Sequence, residues 1–315
     1  MQEADPDEVA RLWLAAMRRG DWAQAWRQTD RTELPRRAHQ TSGSLRWQPR
    51  HLVWDGTPFA GRRVLVRCEH GLGDTLQFIR FVPAIHAVAR QVVVRMQPQL
   101  LPLFQGAPQL GEVCNGWTDE PPPVHDVQIE VMELAYAFRS TPQTVPPPYP
   151  HLNRRVAGRL PVKLSGDGRL RVGLLWAASE WDPSRSVRLS DLEPLLALPQ
   201  ASFFSLQQGD AAGVAAAARM GVQPLSDHTG DIVAAAAAML ELDLVITVDA
   251  MLAHLAGTLG RPTWVMLKHE ADWRWMLDRA DSPWYPGMRL WRQSRPGDWG
   301  PVVKEMAATL RTWAR

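Results

Sequence analysis

Two cysteines, Cys68 and Cys114, are all that the 315 residues contain, and they sit at no metal-ligand spacing. No apolar run reaches the roughly 18 residues of a membrane span, and no signal-type leader is present. The expectation is a soluble, cytoplasmic protein that does not span a membrane. A surplus of charge is also missing. The net charge is +2, with 35 basic residues spread along the chain against 33 acids, which argues against nucleic acid and for a small-molecule or protein partner. No P-loop, H-E-x-x-H or Gly-x-Ser-x-Gly elbow occurs. Gly71-Leu72-Gly73 lacks the third glycine of a dinucleotide fingerprint, Leu76 standing in its place. The next strand ends in Arg95-Met96-Gln97 where a ribose-binding acid is needed, so a nicotinamide enzyme is not expected. The one Asp-x-Asp, Asp5-Pro6-Asp7, is spent on a helix start. A metal-bridged diphosphate site therefore lacks its usual ligands, and neither metal nor cofactor is expected.

What is present argues for two α/β domains. The length exceeds that at which one hydrophobic core usually stops growing, and a 45% hydrophobic content supplies ample core. The organising stretch runs from Arg63 to Phe78: the apolar run Val64-Leu65-Val66 enters a glycine-flanked loop and resumes at helical spacing through Leu72, Leu76, Ile79, Val82 and Ile85. That is a buried parallel strand feeding a helix, and ligands of open α/β sheets bind at such turns. Asp74 lies there, either facing a ligand or serving as an ordinary acid at a helix start. A second strand-turn-helix spans Leu242 to Gly257, with Asp249 as expected N-cap and His254 about a turn inside. The helix starting at Ala250 would offer free N–H groups to a phosphate, with Arg185 and Arg188 as candidate counter-charges. The bland alternatives are a plain cap, an interior histidine and two surface arginines.

Taken in order, residues 5–30 read as a helical pair. Asp5 caps, Pro6 opens, Glu8 closes a capping box and Gly20 ends the first helix. Trp13, Gly20, Ala25 and Trp26 resemble the placements of one tetratricopeptide unit, the alternative being an ordinary helical hairpin; a single unit cannot bury its own apolar face and must lean on the rest. Residues 34–57 read as linker. Strands are expected at 63–68, 91–96 and 126–131, with a helix at 72–89 bent by Pro83. A loop-rich crossing follows at 151–169, including Ser165 and Gly166. Further strands are expected at 170–176, 202–206, 243–248 and 262–267, alternating with helices, which is the pattern of a parallel sheet. An amphipathic helix closes the chain. Composition alone does not explain the 15 tryptophans.

Five stretches together resemble a known family: Cys-Glu-His-Gly-Leu-Gly-Asp-Thr-Leu-Gln-Phe-Ile-Arg-Phe-Val-Pro (68–83), Arg-Ser-Val-Arg-Leu (185–189), Phe-Ser-Leu-Gln-Gln-Gly (204–209), Leu-Val-Ile-Thr-Val-Asp-Ala-Met-Leu-Ala-His-Leu-Ala-Gly (244–257) and the Asp-Trp-Arg-Trp to Arg-Gln segment (272–293). The family is the glycosyltransferase-like domain that follows tetratricopeptide repeats in bacterial proteins, related to the ADP-heptose:lipopolysaccharide heptosyltransferases of glycosyltransferase family 9. The resemblance covers about residues 45 to 313. It implies a GT-B fold, two Rossmann-like domains facing a cleft: a helical hairpin and linker over 1–44, an acceptor domain over 45–155, a nucleotide-sugar domain over 156–297 and a helix over 298–315 crossing back onto the first domain.

The resemblance also implies inverting, metal-independent transfer of a sugar from a nucleotide-diphosphate donor, ADP-heptose being one candidate, to a hydroxyl of a glycan or protein. Asp74 matches the general base, on an acceptor-side loop with Gly71, Gly73, Thr75 and Gln77. Asp249, Ala250, Met251 and His254 match the segment that holds the donor diphosphate. Arg185, Gln207 and Lys268 complete the expected donor site. There are departures: Ala250 stands where the family usually has Thr or Ser, Trp176-Ala177-Ala178 lacks a usual glycine, and Lys268-His269 replaces a commoner Leu-Pro. They leave a second reading open, a non-catalytic module that keeps the fold to hold a protein or glycan.

Overall fold

The computed structural model describes residues 5–38, 44–45, 48–49, 52–149, 151–164 and 168–313. Its chain divides into two units, Met1–Pro147 with Asp272–Asp278, and Pro148–Ala271 with Arg279–Arg315. The division falls inside the Pro146-Pro147-Pro148 run, earlier than the 155 expected; Ser165 and Gly166 of the anticipated crossing lie outside the described residues.

Unit 1 begins with α1 (Pro6–Arg18) and α2 (Trp22–Ala38). Asp5 caps α1 by accepting from the Asp7 amide, and Gly20 leaves the helix at a φ of 79°, a conformation that favours glycine. Glu8 does not close a box. The packed helix pair brings Arg31 within 2.9 Å of its carboxylate, and a charged partner outcompetes a backbone amide there.

As anticipated, the helix pair leans on the rest of its unit. Trp26 is buried and its Nε1 donates to the Ser140 carbonyl at 2.6 Å. Asp30 accepts from the Tyr136 hydroxyl at 2.7 Å and from both terminal nitrogens of Arg139. Trp22, Trp26, Trp54 and Tyr136 meet ring to ring, so part of the tryptophan excess is the seat of this helix pair. Within the stretch read as linker, β1 (Ser44–Leu45) and β2 (Gln48–Pro49) form a short antiparallel pair; its neighbours 39–43, 46–47 and 50–51 lie outside the described residues.

The α/β part of unit 1 follows as β3 (Arg63–Arg67), α3 (Leu72–Phe78), α4 (Val82–His86), β4 (Gln91–Met96), α5 (Leu101–Phe104), β5 (Glu112–Asn115), β6 (Val127–Glu130) and α6 (Leu134–Ala137). Among the described residues its sheet has the order β5-β4-β3-β6, parallel throughout. Strand β5 escaped the sequence reading because four residues with one buried apolar side chain carry little period. The expected helix over 72–89 is broken rather than bent. Pro83 has no N–H for the Ile79 carbonyl, Ile79–Phe81 tightens into a 3₁₀ turn, and Arg80 Nε donates to the Gln77 carbonyl at 2.7 Å.

Unit 2 contains α7 (Leu152–Val156), β7 (Leu170–Leu175), α8 (Glu193–Leu196), β8 (Ala201–Ser205), α9 (Ala211–Arg219), β9 (Gln223–Pro224), α10 (Ile232–Glu241), β10 (Leu244–Val248), α11 (Met251–Thr258), β11 (Thr263–Leu267), β12 (Met288–Arg292) and α12 (Gly300–Thr312). The described strands form one parallel sheet in the order β12-β11-β10-β7-β8-β9. Read from the β9 edge this is the doubly wound order 3-2-1-4-5-6 of nucleotide-binding sheets, reversing between β7 and β10. In the unit 1 sheet the reversal lies between β3 and β6. β10 and β11 are buried along their whole length, which is why they read as unbroken apolar runs.

Helix α12 buries Val302, Val303, Met306 and Leu310 and packs on α8 and β12 of its own unit. The segment that returns to unit 1 is Asp272–Asp278 instead, where Trp273 finds aromatic partners in Trp13 and Phe78. Among the described residues no helix is long and apolar enough to cross a membrane.

Truncating Trp26 removes both the aromatic contact and the hydrogen bond that seat the helix pair. Trp26→Ala is expected to lower stability by about 3–5 kcal/mol, read from the denaturant midpoint of unfolding; a change under ~1 kcal/mol would mean that the helix pair is seated elsewhere.

Candidate functional site

Each unit presents its own cluster at the carboxyl edge of its sheet. In unit 1 the turn from β3 into α3 carries Gly71, Gly73, Asp74, Thr75 and Gln77. Asp74 sits at the third helical position, and its Oδ2 accepts from the Gly71 amide at 2.9 Å. Gly71 has an ordinary φ of −69°. Its lack of a side chain matters for another reason: a Cβ there would stand 3.1 Å from Asp74 Oδ2.

Asp74 Oδ1 accepts from Arg274 Nη2, a partner 200 residues on in sequence and within the same unit. The Arg274 side chain is 11% exposed and that of Asp74 23%. Thr75 and Gln77 are fully buried. The Thr75 hydroxyl donates to Gln97 Oε1 at 3.0 Å, and Gln97 Nε2 donates to the His70 carbonyl at 2.8 Å, so the end of β4 fastens the turn. Gln77 Oε1 accepts from Arg274 Nε at 2.9 Å. Thr75 and Gln77 thus support the turn from below, and Asp74 and Gly71 are its outward members.

Sequence reasoning named neither of two further residues of this edge as a site residue. Arg274 is one: it lies in the Asp-Trp-Arg-Trp run that carries part of the family resemblance, but nothing local paired it with Asp74. Glu130, at the end of β6, is the other: its Oε1 accepts from the Glu69 amide at 3.2 Å, and its Oε2 is buried without a hydrogen-bond partner among the described residues. Burial pushes its carboxyl up to about 8 from the usual 4.5, although the Glu69 amide and the Arg67 guanidinium pull the other way. Cys68 is buried beside it, its thiol pushed up mainly by burial, which disfavours the thiolate.

In unit 2 the helix after β10 begins one residue later than expected. Ala250 is the N-cap of α11, in extended conformation, and it provides no side-chain cap. α9 and α10, by contrast, are capped by Asp210 and Asp231. Asp249, expected as the cap, lies one residue too early, and its carbonyl accepts from Arg185 Nη1 at 2.9 Å. Met251 opens the helix.

Across the switch point, the loop after β7 closes on itself: the Ala178 amide donates to the Ser186 hydroxyl at 3.1 Å and the Val187 amide to the Trp176 carbonyl at 2.8 Å. This loop carries Asp182, which sequence reasoning missed. Lys268 Nζ donates to Asp182 Oδ2 at 2.8 Å, and Arg185 Nε lies 3.7 Å from the same oxygen. Lys268 and the Ser184 hydroxyl hold the Asp182 carboxyl below the usual range. Arg185 also faces the exposed Trp181 ring at 5.0 Å.

The structure therefore gathers Arg185, Asp249, Ala250, Met251 and Lys268, and it pairs both cations internally. Arg188 pairs with Asp191 and stays exposed. Gln207, after β8, accepts from the Ala177 amide at 3.0 Å and borders a groove of about 600 Å³ with Gln208, Asp210, Ser226 and Asp227. His254 is buried, with Nδ1 3.1 Å from the Tyr285 hydroxyl. Tyr285 also explains the glycine of the Ala-His-Leu-Ala-Gly run, since a Cβ at Gly257 would meet its ring at 2.5 Å.

No protein-family model matches the chain. Its two parallel sheets match the fold of solved glycosyltransferases. The Escherichia coli ADP-heptose lipopolysaccharide heptosyltransferase II is 14% identical, covering 79% of this chain and 99% of its own, with a TM-score of 0.54. A glycosyl transferase family 9 protein from Veillonella parvula is 10% identical over 79% and 90% of the two chains, TM-score 0.53. The Escherichia coli heptosyltransferase WaaC, solved with ADP-2-deoxy-2-fluoro heptose, is 16% identical over 79% and 99%, TM-score 0.52. At these identities the likeness is one of fold. In sequence, Protein FlbA of Caulobacter vibrioides is 28% identical over 87% of this chain, and the chain spans about half, 50%, of that relative's length.

The Glu130 environment makes a pH prediction. A carboxyl with a raised folded-state value binds its proton more tightly in the folded than in the unfolded chain. Its contribution to stability is therefore complete below about 4.5 and is lost as pH rises toward about 8. Glu130→Gln should flatten that slope and make the protein more stable than wild type near pH 8, measured by denaturant titration at several pH values. An unaltered slope would show that Glu130 ionises freely in the fold.

Proposed function

We propose that the chain is a glycosyltransferase that moves a sugar from a nucleotide-diphosphate donor to a hydroxyl of a glycan or protein, with inversion and without a metal. The observation that carries this reading is Asp74. It is a carboxylate on a rigid strand-to-helix turn at the switch point of an open sheet, with one hydrogen bond to each oxygen and lone pairs left to accept a third. In the proposed step Asp74 takes the acceptor proton as the hydroxyl oxygen bonds to the anomeric carbon. As that bond forms, the bond from the anomeric carbon to the donor's phosphate oxygen breaks, and its electron pair leaves with the diphosphate.

The uncapped start of α11 supports placing the diphosphate in unit 2, because its first N–H groups and the positive end of the helix favour an anion; Arg185 adds charge. The groove beside Gln207 would take the nucleoside, and His254 would shape the pocket from inside through Tyr285. The ligand with which WaaC was solved supports ADP-heptose as the first donor to try. We read the N-terminal helix pair as a single tetratricopeptide-like unit and the protein as cytoplasmic. A specific observation favours a second reading, the non-catalytic module: Ala250 offers no hydroxyl, and Lys268 is occupied by Asp182.

Asp74→Asn keeps the shape and removes the proton acceptor. Turnover with the best donor should fall roughly 10²–10⁴-fold while the thermal shift given by ADP stays within error of wild type. Near wild-type turnover would end the base assignment, and no nucleotide-induced shift in wild type would favour the module. Asp182→Asn should release Lys268 and tighten ADP by roughly two- to fivefold, the scale of a half-exposed ion pair of about 0.5–1 kcal/mol. Weaker ADP binding would mean that Asp182 organises the donor site.

A further inference from the structure

We propose that Arg274 is the positioning residue for Asp74 and that the N-terminal helix pair, through Trp13 and Trp273, holds Arg274 in place. The proposal rests on the reading of Asp74 as the base. The geometry is specific to a guanidinium. Its Nη2 donates to Asp74 Oδ1, its Nε to Gln77 Oε1 at 2.9 Å and its Nη1 to Asp272 Oδ1 at 2.9 Å. One planar cation thus joins two carboxylates that would otherwise repel each other, and ties both to the buried amide of α3. A lysine ammonium has no fixed fork to reach three acceptors in these directions. With each Asp74 oxygen fixed, one by Arg274 and the other by the Gly71 amide, the carboxylate cannot rotate freely. A base needs that restraint to meet its proton at hydrogen-bond distance.

The support behind Arg274 comes from far away in sequence. Asp272 caps the 3₁₀ turn Trp273–Trp275 by accepting from the Arg274 amide. The guanidinium lies 4.7 Å from the Trp273 ring centre and 5.7 Å from that of Phe78. Trp273 in turn meets Trp13 of α1 edge to face at 5.3 Å, and the Leu277 amide donates to the Arg18 carbonyl at 2.7 Å. Met276 and Asp278 hold φ values of 51° and 52°, which side-chain-bearing residues rarely adopt. The segment is therefore held by its contacts against its own backbone preference. A chain Trp13–Trp273–Arg274–Asp74 results, and the helix pair becomes part of the apparatus that aims the base.

The test compares wild type, Asp74→Asn, Arg274→Gln, Arg274→Lys and Trp13→Ala for kcat, for KM of donor and acceptor, and for exchange of the Gly71 amide proton by NMR. Arg274→Gln should lower kcat roughly 10–100-fold with donor KM within about twofold, and millimolar guanidinium should restore a tenth or more of the lost rate. Arg274→Lys should recover only part, and Trp13→Ala should show a smaller loss of the same kind. Gly71 amide exchange should speed up in Arg274→Gln whether or not a transfer assay exists. If Asp74→Asn abolishes transfer and Arg274→Gln does not, the positioning role is wrong and the base stands. If Asp74→Asn itself retains turnover, the base reading falls and this inference with it. Unchanged Gly71 exchange in Arg274→Gln, or rate loss that guanidinium does not relieve, overturns the positioning role on its own.

Discussion

Parallel strand pairing is the constraint from which the rest of this molecule follows. A parallel sheet buries both faces under its crossover helices, so the middles of its central strands offer few side chains to solvent. Polar residues that act on a ligand are pushed to the carboxyl edge, where each strand turns into its helix. Both units obey this rule. Asp74, Gln97 and Glu130 follow or end β3, β4 and β6, while Asp182, Gln207, Asp249 and Lys268 follow β7, β8, β10 and β11. Where strand order reverses, neighbouring turns diverge and leave a crevice, and the two clusters flank those points.

Electrostatics then shapes each edge differently. In unit 1 the carboxylates outnumber the cations near the turn, and the structure answers with one shared guanidinium for Asp74 and Asp272 and with a half-buried Glu130 whose carboxyl burial pushes upward. In unit 2 the charges balance, Arg185 and Lys268 against Asp182 and Asp249. Lys268 and Arg185 are satisfied by Asp182 and by the Asp249 carbonyl, so the positive charge is stored in internal pairs rather than left exposed. Such pairs are weak enough at partial exposure to be exchanged for a ligand. The helix start beside them, which has no side-chain cap hydrogen bond, adds a fixed dipole.

Aromatic packing connects the ends of the chain. Trp26 and Trp54 meet Tyr136, and Trp22 meets Trp26, to seat the helix pair, while Trp13 meets Trp273. Large flat side chains bury much area with few rotatable bonds, which suits contacts between segments separated by hundreds of residues. The tryptophan content that composition left unexplained is in good part this long-range stapling.

The sequence by itself determined what depends on neighbours in the chain. The buried strands 63–67, 91–96, 170–175 and 244–248, the Asp5-Pro6 helix start, the strand-to-helix turns at Asp74 and Asp249, and the parallel α/β class all follow from local period and local turn chemistry. The tertiary structure decided what depends on distance. Arg274 beneath Asp74, Asp182 between Lys268 and Arg185, the raised Glu130, the seat of the helix pair and the placement of α12 on its own unit each join residues that no spacing rule connects. The same holds for small local outcomes with a choice of partner, such as Glu8 pairing with Arg31 in place of its own helix start. An ion pair or a buried carboxyl is defined by a few ångströms in space, and a one-dimensional pattern carries no record of which distant side chain will come that close.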